Sequence, residues 1–215
     1  MLKRLLLVVP ALILLFISIG YSQALIDLVA GSAGFITGSG IYLVVGFAAY
    51  FPLHFLFRKY IIFHIFGHEL THALWAMLFG GKIEEFYASQ RAGGFVTYTK
   101  ENFLILLAPY FFPLYAIVFV LLYHVSKSPY SEIFLFLMGF SLAFHLLLTM
   151  WSIRIGQSDI RRTGVFFSLI FIYLMNVLVY GILFCSVHPD RTILDFMQDG
   201  LFRLVYNFGI MKKLF

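Results

Sequence analysis

The sequence predicts an all-α polytopic membrane protein with about five to six transmembrane helices and one short β-hairpin. Of its 215 residues, 62% are hydrophobic and 12% are charged, and the mean hydropathy is +0.96. A soluble core of this length cannot bury so much apolar surface, whereas a bilayer accepts it when the backbone is hydrogen-bonded within helices or a closed barrel. The apolar runs are continuous rather than alternating, which favours helices over a barrel. Each crossing takes about 20 residues, and the chain length therefore limits the number of crossings.

The first predicted helix covers the apolar residues 5–19. A charged start, Met1 to Arg4, precedes it, and this order is typical of a secretory signal. The residues that follow lack a convincing small-residue cleavage site. We therefore expect this first helix to stay uncleaved in the membrane.

A basic pair separates the second apolar run from the third. Before these runs, residues 22–40 hold Asp27 and several glycines, which predicts a loop or a short re-entrant piece. Residues 41–56 form the second run. The pair Arg58-Lys59 that follows is typical of a helix end at the lipid surface.

The third apolar run, residues 60–79, is closed by the helix-stopping pair Gly80-Gly81. The segment after it, residues 82–100, is the most polar in the chain. Within that segment, residues 86–99 have the composition of two short strands that turn around glycines. The sequence therefore predicts a β-hairpin directly after the third helix.

Three further apolar runs complete the expected bundle. The first of them, residues 103–123, is interrupted by Pro109 and Pro113. The other two are residues 133–151 and 165–184, and each is long enough for a crossing.

The C-terminal tail, residues 187–215, has apolar side chains at helical spacing, which predicts an amphipathic helix on the membrane surface. These side chains belong to Ile193, Leu194, Met197, Leu201, Leu204 and Val205. We divide the chain into N-terminal transmembrane helices at 1–59, a core at 60–185 and the amphipathic tail at 186–215.

The chain is basic, with a net charge of +5 at pH 7 and a pI near 9.3. Its basic residues are scattered at the ends of apolar runs, which argues against a nucleic-acid partner and indicates membrane flanks. These charges leave the membrane orientation open, and nothing in the sequence fixes the oligomeric state. The single cysteine, Cys185, cannot form an internal disulfide, and we expect it to pack in its apolar run.

The third run contains the sequence His68-Glu69-Leu70-Thr71-His72. On a helix, two histidines four residues apart project from one face about 6 Å apart, close enough to hold one zinc ion. Glu69 is displaced by about 100° around the helix, so that it can act as general base on a water molecule at the metal. Roughly 0.005 such motifs are expected by chance in this composition, and the motif therefore indicates a metallopeptidase.

Catalytic zinc sites usually have three protein ligands, so a third ligand must come from another segment. Asp159, in the polar linker at 154–162, has a carboxylate able to turn towards the metal. Ser158 or Asp159 could equally cap the helix that follows. His145 is a second candidate, because it is an ionisable group in the middle of a predicted crossing.

We expect His145 to form hydrogen bonds beside the ligands rather than to bind the metal, and His64 to be a packed neutral histidine. Both are also candidates for a position that supports the ligands or for an alternative ligand. His64 lies one turn before His68, but three histidines over two turns span about 12 Å and cannot all bind one ion.

These residues resemble the site-2 protease family of intramembrane zinc metalloproteases, and especially its compact bacterial members. The shared features are the motif with its flanking Gly67 and Ala73, Gly80-Gly81, the segment Gly93-Gly94-Phe95-Val96, and an acidic residue that opens a later helix. Together they cover residues 60–184. The family's third ligand usually stands in a Leu-Asp-Gly context, whereas this chain has Ser158-Asp159-Ile160.

The resemblance implies that His68, His72 and Asp159 bind Zn²⁺ and that Glu69 activates water. It also implies that the hairpin strand Gly94, Phe95, Val96 and Thr97 presents the substrate. The resemblance further implies a multi-pass protein of the bacterial cytoplasmic membrane, with the hairpin and Asp159 on the cytoplasmic side.

We therefore expect a zinc metalloendopeptidase that cleaves membrane proteins within the lipid bilayer. One alternative is a metal carrier or sensor that does not need Glu69. A second is a non-catalytic scaffold, against which the intact motif argues. A third is another group of membrane metalloproteases, in which Glu132 or Glu101 would replace Asp159 as ligand.

Overall fold

The computed structural model describes residues 7–57 and 62–214, and these residues are mostly helical. The predicted charged start at 1–4, the beginning of the first helix at Leu5, the pair Arg58-Lys59 and the start of the third run at Tyr60 lie outside the described residues. The chain forms two compact units, Met1–Ile41 with Gly164–Phe215, and Tyr42–Thr163. The three-part division expected from the sequence stays a prediction.

The elements in chain order are α1 (Val8–Ala30), α2 (Ala33–Thr37), α3 (Ile41–Phe57), α4 (Ile62–Leu78), β1 (Ile83–Ser89), β2 (Gly93–Tyr98), α5 (Phe103–Leu107), a 3₁₀ turn (Ala108–Tyr110), α6 (Leu114–Val125), α7 (Tyr130–Ile155), α8 (Ser158–Thr163), α9 (Val165–Val187) and α10 (Ile193–Leu214).

Helix α1 continues far beyond its predicted end. The loop or short re-entrant piece expected at 22–40 is wrong for residues 22–30, because α1 runs on to Ala30. The polar side chains of this part have partners on α10: Arg203 donates to Asp27 at 2.5 Å, and Asn207 donates to Gln23 at 2.9 Å. The prediction from the polarity of the segment alone did not include these partners, because they lie about 180 residues away in the sequence.

The first unit packs α1 against α9 and α10. Its core contains Tyr21, Ala24, Leu28, Leu174, Val177, Cys185 and Phe196. Cys185 is a buried free thiol in this core, as expected for a packing residue. The tail is helical in α10, and its predicted place on a membrane surface stays a prediction.

In the second unit, two glycines allow α3 and α7 to approach closely. A Cβ at Gly46 would collide with the backbone of Phe136, and a Cβ at Gly139 would collide with the backbone of Leu43. Small residues at such a crossing let two helices pack through their main chains.

The apolar run at 103–123 is broken. Phe103–Tyr110 and Leu114–Val125 meet at an angle of 72°, and the break falls between the prolines foreseen as interruptions, Pro109 and Pro113. Proline removes a backbone donor and crowds the preceding turn, which ends a helix at that point.

The hairpin follows α4 as predicted, and its first strand begins three residues earlier than expected. Strands β1 and β2 pair antiparallel, with Phe86 opposite Val96 and Ser89 opposite Gly93. Helix α4 ends at Leu78, and Gly80, two residues later, has a φ of +73° that is typical of the residue after a helix C-terminus. The predicted glycine stop is thereby confirmed.

Among the described residues, three helices are long and apolar enough to cross a membrane: α1, α7 and α9. The broken pair would make a fourth span. Helices α3 and α4 have 17 residues each, or roughly 26 Å at 1.5 Å per residue, slightly less than a hydrocarbon core of about 30 Å. The protein is an integral membrane protein, and the expected five to six spans stay a prediction.

Candidate metal centre

The two motif histidines lie one turn apart on α4 with their rings turned to one point. The Nε2 atoms of His68 and His72 are 3.2 Å apart. Both side chains are largely enclosed, with exposed fractions of 11% and 6%. Two imidazole nitrogens at this separation are suited to share one ion, because both lone pairs then face the same space.

The carboxylate of Asp159 completes the group. Helix α7 ends at Gly156, whose φ of +68° turns the chain into α8, and Asp159 lies in the first turn of α8. Its Oδ2 atom is 3.7 Å from Nε2 of His68 and 3.6 Å from Nε2 of His72. The carboxylate therefore faces the two histidines.

These three atoms fit a zinc ion. A tetrahedral site with ligand bonds of about 2.0–2.1 Å has ligand atoms about 3.3–3.4 Å apart, close to the observed separations. Two imidazoles with one carboxylate also form a donor set common at catalytic zinc, with a fourth position left open. Among the described residues, this is the group of His, Cys, Asp and Glu side chains able to hold a metal.

A backbone carbonyl fixes the ring of His72. Its Nδ1 atom lies 2.8 Å from the carbonyl oxygen of Ile105 in α5. A carbonyl only accepts, so Nδ1 carries the proton and Nε2 keeps its lone pair for a metal. Asn102 caps α5 by accepting from the backbone N–H of Ile105, and this cap holds the carbonyl in place.

Asp159 receives a hydrogen bond from a buried tyrosine. The hydroxyl of Tyr110 donates to Oδ2 at 2.9 Å, and Ser158 makes a longer contact to Oδ1 at 3.4 Å. Burial by itself would raise the pKa of Asp159, but its interactions with His68 and His72 outweigh burial and hold the pKa below its usual range. The carboxylate is therefore ionised and ready to bind a cation.

Glu69 lies beside this group and lines an open cleft. The cleft has a volume of about 520 Å³, and its walls include Glu69, both histidines and Asp159. Strand β2 closes one side of the cleft. Gly94 passes so close to α4 that an added Cβ would lie 2.7 Å from Cγ of Glu69 and 2.6 Å from Cγ2 of Ile65.

The predicted substrate strand lies partly along this cleft. Gly94, Phe95 and Val96 line the cleft, whereas Thr97 does not appear among its lining residues. Side chains alternate between the two faces of a strand, and Tyr98 therefore follows Gly94 and Val96 to the cleft side. Sequence reasoning missed Tyr98, although this period of two would have indicated it.

Tyr98 brings a neutral hydroxyl to the cleft. Its ring centroid lies 6.4 Å from that of His72. Burial, followed by the nearby carboxylates of Glu101 and Asp159, raises the pKa of Tyr98 to about 12. The hydroxyl therefore stays protonated at neutral pH and remains a hydrogen-bond donor.

His145 and His64 lie outside the group of three. Together with His68 they line a small cavity of about 30 Å³, and His64 also lines the larger cleft. Nε2 of His64 lies 3.3 Å from the hydroxyl of Ser152, and its ring centroid is 5.8 Å from that of His68. Both histidines are therefore neighbours of His68, and their expected roles stay predictions.

The two alternative glutamates are elsewhere. Glu101 pairs with Arg162 at 2.6 Å, in an exposed position. Glu132 lies in the first turn of α7, about 35 Å along the helix axis from the end that leads to Asp159. Neither belongs to the group that faces the histidines.

Comparison with known proteins places the chain in a family. A model of the family described as Peptidase M50B-like matches residues 40–187, well over half of the 215 residues. The matched range includes α4, the hairpin and Asp159. No curated protein and no solved structure matches the chain. The family is one of zinc metalloproteases, which confirms the resemblance to site-2 proteases. The chain therefore belongs to the Peptidase M50B-like family of membrane metalloproteases.

Proposed function

We propose that the protein is an intramembrane zinc endopeptidase that hydrolyses peptide bonds of membrane-associated proteins. The observation that carries this proposal is the convergence of His68 Nε2, His72 Nε2 and Asp159 Oδ2, with Glu69 in the lining of the same cleft. A carboxylate beside a metal site is needed for hydrolysis, whereas binding alone does not need it.

Zinc, when bound by these three residues, would supply Lewis acidity that makes water a competent nucleophile near neutral pH. Glu69 takes the proton from the attacking water and later delivers it to the amine of the leaving peptide. The charge balance suits this role, because the ionised carboxylate of Asp159 stays with the histidines and leaves Glu69 available for proton transfer.

The cleft provides a route for water. Its polar lining includes Gln90, Gln157 and Arg162 as well as the residues that face the metal. Backbone of irregular form at membrane depth is tolerated where it lines a water-filled space. Such a space would let water reach a hydrolytic site inside an apolar protein.

Strand β2 is suited to hold the substrate in extended form. A transmembrane helix hides its peptide bonds in internal hydrogen bonds, and it must unwind before attack. The edge of β2 that does not pair with β1 offers backbone groups for an added strand. A segment paired there would run beside Glu69, because Gly94 brings β2 against α4.

The test is proteolysis combined with metal analysis on the purified full-length protein. Glu69→Gln should keep its zinc and lose about 10²–10⁴-fold in cleavage rate, the range expected for loss of a general base. His68→Ala and Asp159→Ala should lose both zinc and activity. Cleavage by Glu69→Gln at the wild-type rate would rule out this mechanism.

The same variants separate a protease from a metal carrier. A carrier moves zinc across vesicle membranes, and Glu69→Gln would leave that transport unchanged. Transport of zinc without cleavage of any membrane-protein substrate would contradict the proposal.

A further inference from the structure

The broken span lies against the metal-facing residues at two points. Its first piece, α5, presents the carbonyl of Ile105 to His72. Its 3₁₀ turn, at the 72° bend, presents the hydroxyl of Tyr110 to Asp159. The break therefore places two hydrogen-bonding groups behind two of the three proposed ligands.

We propose that Tyr110 is a positioning residue, whose hydroxyl holds Oδ2 of Asp159 towards His68 and His72 and so sets the metal affinity of the site. This inference rests on the proposed zinc function. It assigns to Tyr110 a role that neither the motif nor the family match indicates.

Tyr110 is itself held rigidly. Its side chain is 1% exposed, and its ring lies edge-on to His68 with centroids 5.3 Å apart. Its carbonyl accepts a hydrogen bond from the hydroxyl of Thr149 on α7, at 3.3 Å. Pro109, within the turn, and Pro113, three residues after Tyr110, restrict its backbone further. A donor fixed in this way imposes its position on the group that it contacts.

Asp159 needs such a partner more than the histidines do. Both histidines project from α4, which has more than four turns, whereas α8 has only six residues. A carboxylate oxygen has two lone-pair directions, so Oδ2 can accept from Tyr110 and still face the Nε2 atoms 3.6 and 3.7 Å away. Without the hydroxyl, the carboxylate would be free to rotate and bind water.

The experiment measures zinc affinity with a chelating competitor and records the visible spectrum of the cobalt-substituted protein. Tyr110→Phe removes the hydroxyl and keeps the buried ring. We expect affinity to fall 10–100-fold, the usual cost of losing a group that orients a metal ligand, and the cobalt spectrum to change. Tyr50→Phe is the matched control, because Tyr50 is also buried and its hydroxyl bonds to His54 on α3, away from the site.

A double-mutant cycle distinguishes positioning from a folding defect. In an Asp159→Ala background, where the weaker binding by His68 and His72 is measured at higher zinc concentration, Tyr110→Phe should cost no further affinity, because the acceptor on which the hydroxyl acts is gone. An equal loss in both backgrounds would show a general structural effect and overturn the proposal. So would wild-type affinity and an unchanged spectrum in Tyr110→Phe.

Failure of the zinc function would look different. In that case wild type and His68→Ala would contain equally little zinc, before Tyr110 is changed at all. If zinc binding is lost in His68→Ala but unchanged in Tyr110→Phe, the proposed metal centre stands and only the role of Tyr110 is rejected.

Discussion

Gly94 provides the most direct test of how the hairpin and Glu69, the proposed general base, depend on each other. An alanine Cβ at this position would lie 2.7 Å from Cγ of Glu69 and 2.6 Å from Cγ2 of Ile65. Ordinary contacts between such carbons are about 3.5–4.0 Å, so one partner must move by about 1 Å. Ile65 is branched and stiff at χ1, and the movement therefore falls on Glu69 or on strand β2.

Either movement should slow catalysis strongly. A misplacement of about 1 Å in a catalytic group costs about 10²-fold in rate, and overpacking costs about 1–3 kcal/mol of stability. We therefore expect Gly94→Ala to lower kcat about 100-fold in a proteolysis assay. Its zinc content should equal that of wild type, because the new Cβ does not approach a ligand atom among its nearest neighbours.

Gly93→Ala is the matched control for damage to the hairpin. Gly93 has φ +80°, so alanine there is strained by about 1–2 kcal/mol, but its Cβ would have no atom within 4 Å. It should destabilise the strand without displacing Glu69, and its rate should fall far less than that of Gly94→Ala. The reasoning is refuted if Gly94→Ala cleaves as fast as wild type, or if both variants lose activity equally.

Three other predictions concern the metal, the helix crossing and the surface. Removing zinc with a chelator should abolish cleavage and lower Tm, and added Zn²⁺ should restore both, whereas His72→Ala should respond to neither treatment. Gly139→Ala should lower the thermal unfolding temperature, at a cost of about 1–3 kcal/mol, because its Cβ would collide with the backbone of Leu43. Glu101→Gln should leave the zinc content unchanged and alter stability by at most about 1 kcal/mol, because its pairing with Arg162 is exposed; loss of zinc would make Glu101 a ligand after all.

The sequence predicted the parts of the site that depend on local spacing. The position of His68 and His72 on one face follows from helical geometry, because they are one helical turn apart. The helix stop at Gly80 follows from the positive φ that glycine tolerates. The hairpin was predicted from the glycines and strand-forming residues of its own segment, which is also a local signal. Each of these signals lies within about 20 residues of chain.

Features that depend on distant partners were missed. The polar residues of α1 predicted a loop, yet Asp27 and Gln23 have partners on α10 that keep the helix intact. Likewise, Tyr110 lies 49 residues before Asp159, and no spacing rule joins them. The two prolines near Tyr110 predicted a break in the helix, but a break does not indicate which residue Tyr110 contacts.

The hydrogen bonds that hold His72 and Asp159 differ in their sensitivity to mutation. Tyr110 acts through its side chain, and one substitution can delete it. Ile105 acts through its main-chain carbonyl, so exchanges of its side chain leave the acceptor in place. The position of the proton on His72 is thus set by the backbone and not by the side chain of residue 105. Substitutions at position 105 can therefore accumulate without changing it, as long as the cap from Asn102 persists.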